Sequence, residues 1–262
     1  MPRISCPRCR SRRVWHIRRN KVRCVFCKHE WSSRNKLPLR LTIYQWKKII
    51  KLFVLGLSSN QISEQTGINK PRILRALTYT RKAMIKDVPK QFSGIVEVDE
   101  TYIGGKWVNK RTLTRTKGTK RGRGTSKQPV FGIYARRGIV WAEIVDDVGS
   151  STLQPLIRKQ VRKGSTICSD TWRGYTGIAT KGYVHRLVDH SKEFANGKAH
   201  INGLEGFWGY LKRRLAAKGG IRRERLSLYL GEYVWRYNHR KLSVNEKVLR
   251  LIELLNKRRF SG

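Results

Sequence analysis

Four of the five cysteines in this 262-residue chain form two pairs, Cys6-Pro-Arg-Cys9 and Cys24-Val-Phe-Cys27. Two CxxC pairs at this separation can bring four thiolates to one tetrahedral ion, so Cys6, Cys9, Cys24 and Cys27 are expected to hold a structural zinc. Arg8 and Lys28, beside the knuckles, favour the thiolate form that binds metal. His16 and His29 lie nearby, but four cysteines complete the shell. A redox dithiol is the other chemistry such pairs can carry. The fifth cysteine, Cys168, reads as a small buried strand residue.

Carboxylates are the second set. The chain has 58 Lys and Arg against 17 Asp and Glu, a formal charge of +41, so each acid near a predicted strand is informative. Asp99 ends the strand run Val96-Glu97-Val98-Asp99-Glu100, where alternation puts Glu97 and Asp99 on one face and the valines on the other. Asp170 follows the strand Thr166-Ile167-Cys168. Glu205 opens a helix that carries Phe207 and Trp208, with Trp208 read as core. Three acids from distant segments, in a site ringed by Arg and Lys, suit hydrolysis or transfer at a phosphodiester. There, two divalent ions about 3.5–4 Å apart neutralise charge on an anionic substrate. Magnesium and manganese both suit oxygen ligands. Taken singly, each acid would more often be salt-bridged.

Three segments must position these groups. Residues 1–35 read as a zinc ribbon: Val14–Ile17 and Lys21–Arg23 are short strands about a turn at Arg18–Asn20. Residues 42–88 read as helix, short helix and basic third helix, the helix-turn-helix pattern. Trp46, Ile49, Ile50 and Phe53 make the first stripe, ended by Gly56. Ser58 or Ser59 caps a second helix with Ile62, ended by Gly67. Lys70-Pro71 opens the third, with Ile73, Leu74 and Leu77 inward and Lys70, Arg72, Arg75, Arg81 and Lys82 outward. Lys70, Arg72 and Arg75 are the expected DNA contacts. Residues 86–91, with Pro89, form a linker.

Residues 92–262 alternate strands and helices: Ile95–Ile103, the hairpin strands Pro129–Ala135 and Ile139–Val145, a helix Ser151–Lys163, strands Ser165–Ser169 and Tyr183–Val188, and three further helices. The fold class is α/β, a mixed sheet with flanking helices. The insert Lys106–Lys127 has nine Lys and Arg and no acid. Such a segment has too little apolar surface for a core and is expected to order on DNA, through Lys106, Lys120, Arg121 and Arg123.

A charge this large calls for a polyanion, and nucleic acid bound through phosphates is the expected partner. The longest apolar run, Leu52–Leu57, is far short of the roughly 18 residues of a membrane span. Met1–Arg13 lacks the apolar run of a secretory signal. The expectation is a cytoplasmic, nucleoid-associated protein with no membrane partner and no small-molecule substrate.

The motifs resemble a known family. Val96-Glu97-Val98-Asp99-Glu100-Thr101-Tyr102-Ile103-Gly104-Gly105-Lys106, Ser169-Asp170-Thr171-Trp172-Arg173-Gly174-Tyr175 and His200-Ile201-Asn202-Gly203-Leu204-Glu205-Gly206-Phe207-Trp208 are similar, in order, to the three motifs of zinc-ribbon insertion-sequence transposases, the ISXO-like type of the DDE superfamily. Leu211-Lys212-Arg213 and Arg236-Tyr237-Asn238-His239-Arg240 resemble the sequences that follow them. The likeness covers nearly the whole chain.

The resemblance implies a ribonuclease H-like fold and a two-metal mechanism. Asp99, Asp170 and Glu205 would be the ligands of magnesium or manganese, and Lys212, seven residues after Glu205 on nearly one helix face, would contact phosphate. Asn202, Glu97 and Glu100 are further ligand candidates, with Glu97 alternatively paired to an Arg in the sheet. His200 could orient Glu205, touch DNA or make a structural hydrogen bond. The implied reaction cuts the ends of an insertion sequence and joins the 3′-hydroxyls to target DNA. Two ends joined in one act imply a dimer or higher oligomer on double-stranded DNA. The rival readings are a non-enzymatic zinc-ribbon and helix-turn-helix regulator with a degenerate nuclease domain, a nuclease or resolvase that cuts without joining, and an RNA-binding protein of translation.

Overall fold

The computed structural model describes residues 5–18, 21–32, 37–89, 91–104, 127–170, 173–188, 202–219 and 221–257. The chain divides into two compact units, residues 1–83 with 242–262, and residues 84–241.

In the first unit, β1 (Val14–Ile17), β2 (Lys21–Cys24) and β3 (Glu30–Ser32) form an antiparallel sheet, with Trp15 opposite Arg23 and Val22 opposite Trp31. The hairpin matches the expected strands, though Arg19 and Asn20 of its turn lie outside the described residues. The third strand was not anticipated. Its three residues are too short for an alternation to register.

Helices α1 (Ile43–Val54), α2 (Ser59–Thr66) and α3 (Lys70–Lys86) follow. Thr42 and Ser58 start α1 and α2 with reciprocal capping boxes, their hydroxyls accepting from the Gln45 and Gln61 N–H groups. Gly67 ends α2 at φ +68°, a left-handed conformation that favours glycine. Trp46, Ile49, Ile50 and Phe53 are buried as the stripe requires.

On α3 two expectations fail. The buried row is Ile73, Ala76, Leu77, Thr80, Ala83 and Met84, which leaves Leu74 one position off the stripe and exposed. Arg81 falls on that row instead. Its stem is buried and its guanidinium lies 5.2 Å from the Phe53 ring centroid. The chain's last described helix (Val244–Lys257), grouped by sequence with residues 92–262, packs against α1 in the first unit. Its apolar stripe of Val248, Leu251, Ile252 and Leu255 is visible in sequence, but the surface it covers is not.

The second unit is built on a five-stranded mixed sheet of β4 (Ile95–Ile103), β5 (Gln128–Ala135), β6 (Ile139–Ile144), β7 (Thr166–Ser169) and β8 (Val184–Leu187), in the order β6-β5-β4-β7-β8. The β6-β5-β4 pairs are antiparallel and the β4-β7-β8 pairs parallel. Alternation sorts the two faces. Val96, Val98, Phe131, Ile133 and Trp141 pack with Leu153 and Ile157 of α4 (Ser150–Gln160) on one side. Val130 and Val140 pack on the other with α5 (Asn202–Ala216) and α6 (Leu226–Asn238). The last helix is therefore α7. Helix α4 stops at Gln160, short of the expected Lys163. Val161 turns extended and bridges Phe92, whose N–H donates to the Gln160 carbonyl. No helix among the described residues is long and apolar enough to cross a membrane.

Candidate functional site

The two cysteine knuckles meet. Cys6 and Cys27 Sγ are 3.5 Å apart, Cys9 and Cys24 Sγ 3.4 Å, and all four sulfurs lie within 4.8 Å of one another. Zn–S bonds of about 2.3 Å give tetrahedral edges of about 3.8 Å, so the cluster can hold a zinc ion. Burial alone would raise the Cys24 thiol. The backbone N–H groups of Cys27 and Phe26 and the Cys9 thiol outweigh it and pull Cys24 down to about 6. Cys9, despite the lowering hydrogen bond from Ser11, is pushed up to about 12 by its contact with Cys24, so that in the metal-free cluster the pair's proton sits on Cys9. Among the described residues, this is the one group of three or more ligand-type side chains with converging donor atoms.

The carboxylates are arranged more loosely. Asp99 does not end its strand: it sits in the middle of β4, at the level where the shorter parallel strand β7 runs out. The last β4-β7 pair is Glu97 with Cys168, and Asp99 and Asp170 each lie two residues further on. They therefore come from neighbouring strands near one end of the parallel pair, close enough for the Asp170 charge to act on Asp99. Sites in open α/β sheets favour such strand ends. Burial, with the charges of Glu100 and Asp170, pushes Asp99 up to about 7, against the opposing hydrogen bond from Trp208. In a protein of charge +41, this is a local excess of negative charge, which suits a hard divalent cation.

Glu205 comes from α5, which begins at Asn202, so the acid lies within the first turn and is exposed. Asn202 and Lys212 are exposed on the same helix. Glu205 is close enough to raise the pKa of Glu97, though burial is the larger cause there. The structure thus brings Asp99 within electrostatic reach of Asp170 and Glu205 within reach of Glu97, without closing the three acids into a ligand cluster.

Hydrogen bonds from both the backbone and a side chain of α5 hold it to β4. Glu97, fully buried, accepts from the Leu204 N–H at 2.8 Å, placing a carboxylate at the positive end of the helix. Its other oxygen lies 3.9 Å from Arg136 Nε, as the sheet-paired reading of Glu97 anticipates. Trp208 Nε1 donates to Asp99 Oδ2 at 2.9 Å. Trp208 is buried core as read from the sequence, but its bond to Asp99 was not foreseen. Gly132 stands opposite Asp99 in the sheet, and a Cβ there would lie 2.6 Å from the indole ring. That glycine, between Phe131 and Ile133 in a strand, was the available signal. Glu100 accepts from the buried Tyr175 hydroxyl at 2.7 Å. This ties the Arg173-Gly174-Tyr175 part of the second motif back to β4.

Of the expected DNA contacts, Lys70 and Arg75 are exposed on α3. Arg72 is half-buried and donates to the Leu39 and Arg40 carbonyls at 2.6 and 3.3 Å, so it has a structural task as well. Lys106, Lys120, Arg121, Arg123 and His200 lie outside the described residues. The Arg236–Arg240 stretch turns out to be a clamp. Asn238 exchanges two 2.8 Å hydrogen bonds with the backbone of Val140 on edge strand β6, and Arg240 donates to the Gly138 carbonyl.

A mixed sheet with two acids near the end of two parallel strands, and a helix bearing a third, offers carboxylates of the kind that can take a divalent cation. Residues 91–238 match the ISXO2-like transposase domain, and the chain belongs to that family of insertion-sequence transposases. A transposase-like protein of Haemophilus influenzae is 35% identical over 111 residues, 42% of this chain and 90% of its own. A protein in the transposable element ISH50 of Halobacterium salinarum is 25% identical over 248 residues, covering 87% of this chain and 83% of its own. Among solved structures, the Mos1 transposase paired-end complex with left transposon end aligns at a TM-score of 0.31 and 12% identity, over 87% of this chain and 82% of that one.

Proposed function

We propose that this chain is a DDE transposase that binds the ends of its insertion sequence, cuts them and joins the freed 3′-hydroxyls to target DNA. The observation that carries the reading is the placement of Asp99 beside Asp170 at the end of the β4-β7 pair, with α5 hydrogen-bonded across it, in a chain of the ISXO2-like family.

In this reading the second unit is a ribonuclease H-like catalytic domain, and Asp99, Asp170 and Glu205 hold two magnesium or manganese ions. Bound there, the metals would lower the charge barrier to attack on a phosphodiester and stabilise the leaving oxygen. The protein's own groups do the rest. Trp208 fixes the direction of the Asp99 carboxylate. Glu97 anchors the first turn of α5, from which Glu205 projects. Lys212, two turns along, contacts phosphate. In joining, the 3′-oxygen of the cut end forms a new bond to a target phosphorus, and the target's own 3′-oxygen leaves as a hydroxyl. The zinc ribbon and the α1–α3 module, read as a helix-turn-helix, bind the terminal repeats through Lys70, Arg75 and Arg72. The segment carrying Lys106, Lys120, Arg121 and Arg123 contributes phosphate contacts near the cut. Two ends require a dimer or higher oligomer on DNA, acting in the cytoplasm at the nucleoid.

The test incubates purified protein with a labelled insertion-sequence end and a plasmid target, with and without magnesium, beside Asp99→Ala and Asp170→Ala. Magnesium-dependent nicking and joining, lost by at least about a hundredfold in both variants, is the expected result. Salt-sensitive binding with no cut, equal in all three proteins, would leave a DNA-binding regulator and overturn the catalytic reading. Cutting without joining would leave a nuclease.

A further inference from the structure

The ribbon has a surface that phosphate binding does not explain. Trp15 is 53% exposed and Phe26 64%, although most other large aromatics of the described chain are buried. Each ring has a cation beside it. Lys28 Nζ lies 5.2 Å from the Trp15 ring centroid, and the Arg13 guanidinium 5.9 Å from that of Phe26. The four residues are neighbours by construction. Arg13 and Trp15, two apart along an extended segment, share a face. Phe26 and Lys28 flank Cys27 in the second knuckle, and the Val25 N–H donates to the Arg13 carbonyl, tying knuckle to strand. Cys27, between Phe26 and Lys28, belongs to the four-cysteine cluster.

We propose that Arg13, Trp15, Phe26 and Lys28 form a stacking platform for unpaired bases of a nucleic-acid strand. The inference rests on DNA as the partner, and adds to it the state of the DNA that the ribbon selects. The described ribbon residues carry eight Lys and Arg against one acid, Glu30, which lies 3.8 Å from Arg23. That balance favours a polyanion over a protein surface, which would have to desolvate the cations packed beside the rings. Duplex DNA needs only the cations, because its base faces are stacked on one another. Open rings add binding energy only when a base is free to lie on them, and each stacked base is worth about tenfold or more in affinity. Ends being opened for cutting and joining are a source of such bases.

The experiment uses the full zinc-loaded chain carrying Asp99→Ala, so that DNA is not consumed. Fluorescence anisotropy compares a blunt duplex with the same duplex bearing a short unpaired tail. The tail is expected to raise affinity about tenfold. Trp15→Ala with Phe26→Ala should abolish that gain and leave blunt-duplex affinity within about twofold, with zinc content unchanged. Trp15→Phe should keep most of the gain. Arg13→Gln with Lys28→Gln should weaken both DNAs. No gain from the tail, or an equal gain in the double-ring variant, overturns the proposal. So does a parallel loss on both DNAs when the rings are removed. If the parent binds neither DNA, the DNA reading itself fails, an outcome distinct from the other three.

Discussion

Asp99 is the residue on which charge, packing and proposed chemistry meet. Burial, aided by the Glu100 and Asp170 charges, sets its pKa near 7, whereas in the unfolded chain it titrates near the ordinary aspartate value of about 3.9. Between those values the folded state holds a proton that the unfolded state has released, so stability falls as pH rises. The contribution is fully present below about pH 4 and is lost by the time pH passes about 7. Asp99→Asn should therefore raise the melting temperature of the metal-free protein above pH 7, with the gain vanishing near pH 4. Added magnesium should stabilise the parent at pH 8 and narrow the gap. Trp208→Phe keeps the bulk but removes the N–H that opposes the shift, so the pH dependence should extend to still higher pH. Melting curves across pH, with and without magnesium, check all three expectations. A pH-independent gain for Asp99→Asn would show that packing is responsible rather than ionisation.

At the scale of elements, α5 is set against the sheet by two glycines and by hydrogen bonds to Glu97 and Asp99. Gly132 makes room for the Trp208 ring, and Gly203 lets the helix start close to Tyr134, whose ring atoms a Cβ would overlap. Gly206, on the same helix, has open space where its Cβ would be. Two substitutions that look alike in sequence should then have opposite signs. Gly203→Ala should destabilise by about 1–3 kcal/mol and lower nicking, because the clash lifts the turn bearing Glu205. Gly206→Ala should stabilise by about 0.5–1 kcal/mol through helix propensity. Chemical denaturation of the two variants measures both. Similar losses in both would mean that the helix does not lie against Tyr134 in this way.

For the whole molecule the charge of +41 is the governing quantity. Binding to duplex DNA should fall linearly on a log–log plot against salt, with a slope of about −0.9 per phosphate neutralised. Replacing Lys70 and Arg75 together with Ala should make that slope shallower by about 2 if each meets a phosphate. Fluorescence anisotropy at several salt concentrations gives the number. An unchanged slope would remove α3 from the proposed interface.

Much of the second unit was legible in the sequence because alternation and helical spacing are local properties. Strand β4, the β5-β6 hairpin and the apolar stripes of α5 and α6 follow from them, as do the paired cysteines whose spacing brings four sulfurs together. The two α3 errors show where local spacing is ambiguous: Leu74 and Arg81 each sit within one residue of the stripe edge, and only the packed neighbours decide which side is covered. The arrangement of the candidate site was not local at all. That Asp99 lies mid-strand beside the end of β7, that Trp208 donates to it, that Glu97 anchors α5 and that Asn238 clamps β6 each depend on contacts between residues roughly 70 to 110 positions apart in the chain. The sequence carries the residue types and their periods. Which carboxylate ends up beside which, and which helix covers them, was decided by how the sheet orders its strands and by which buried polar groups found partners on folding.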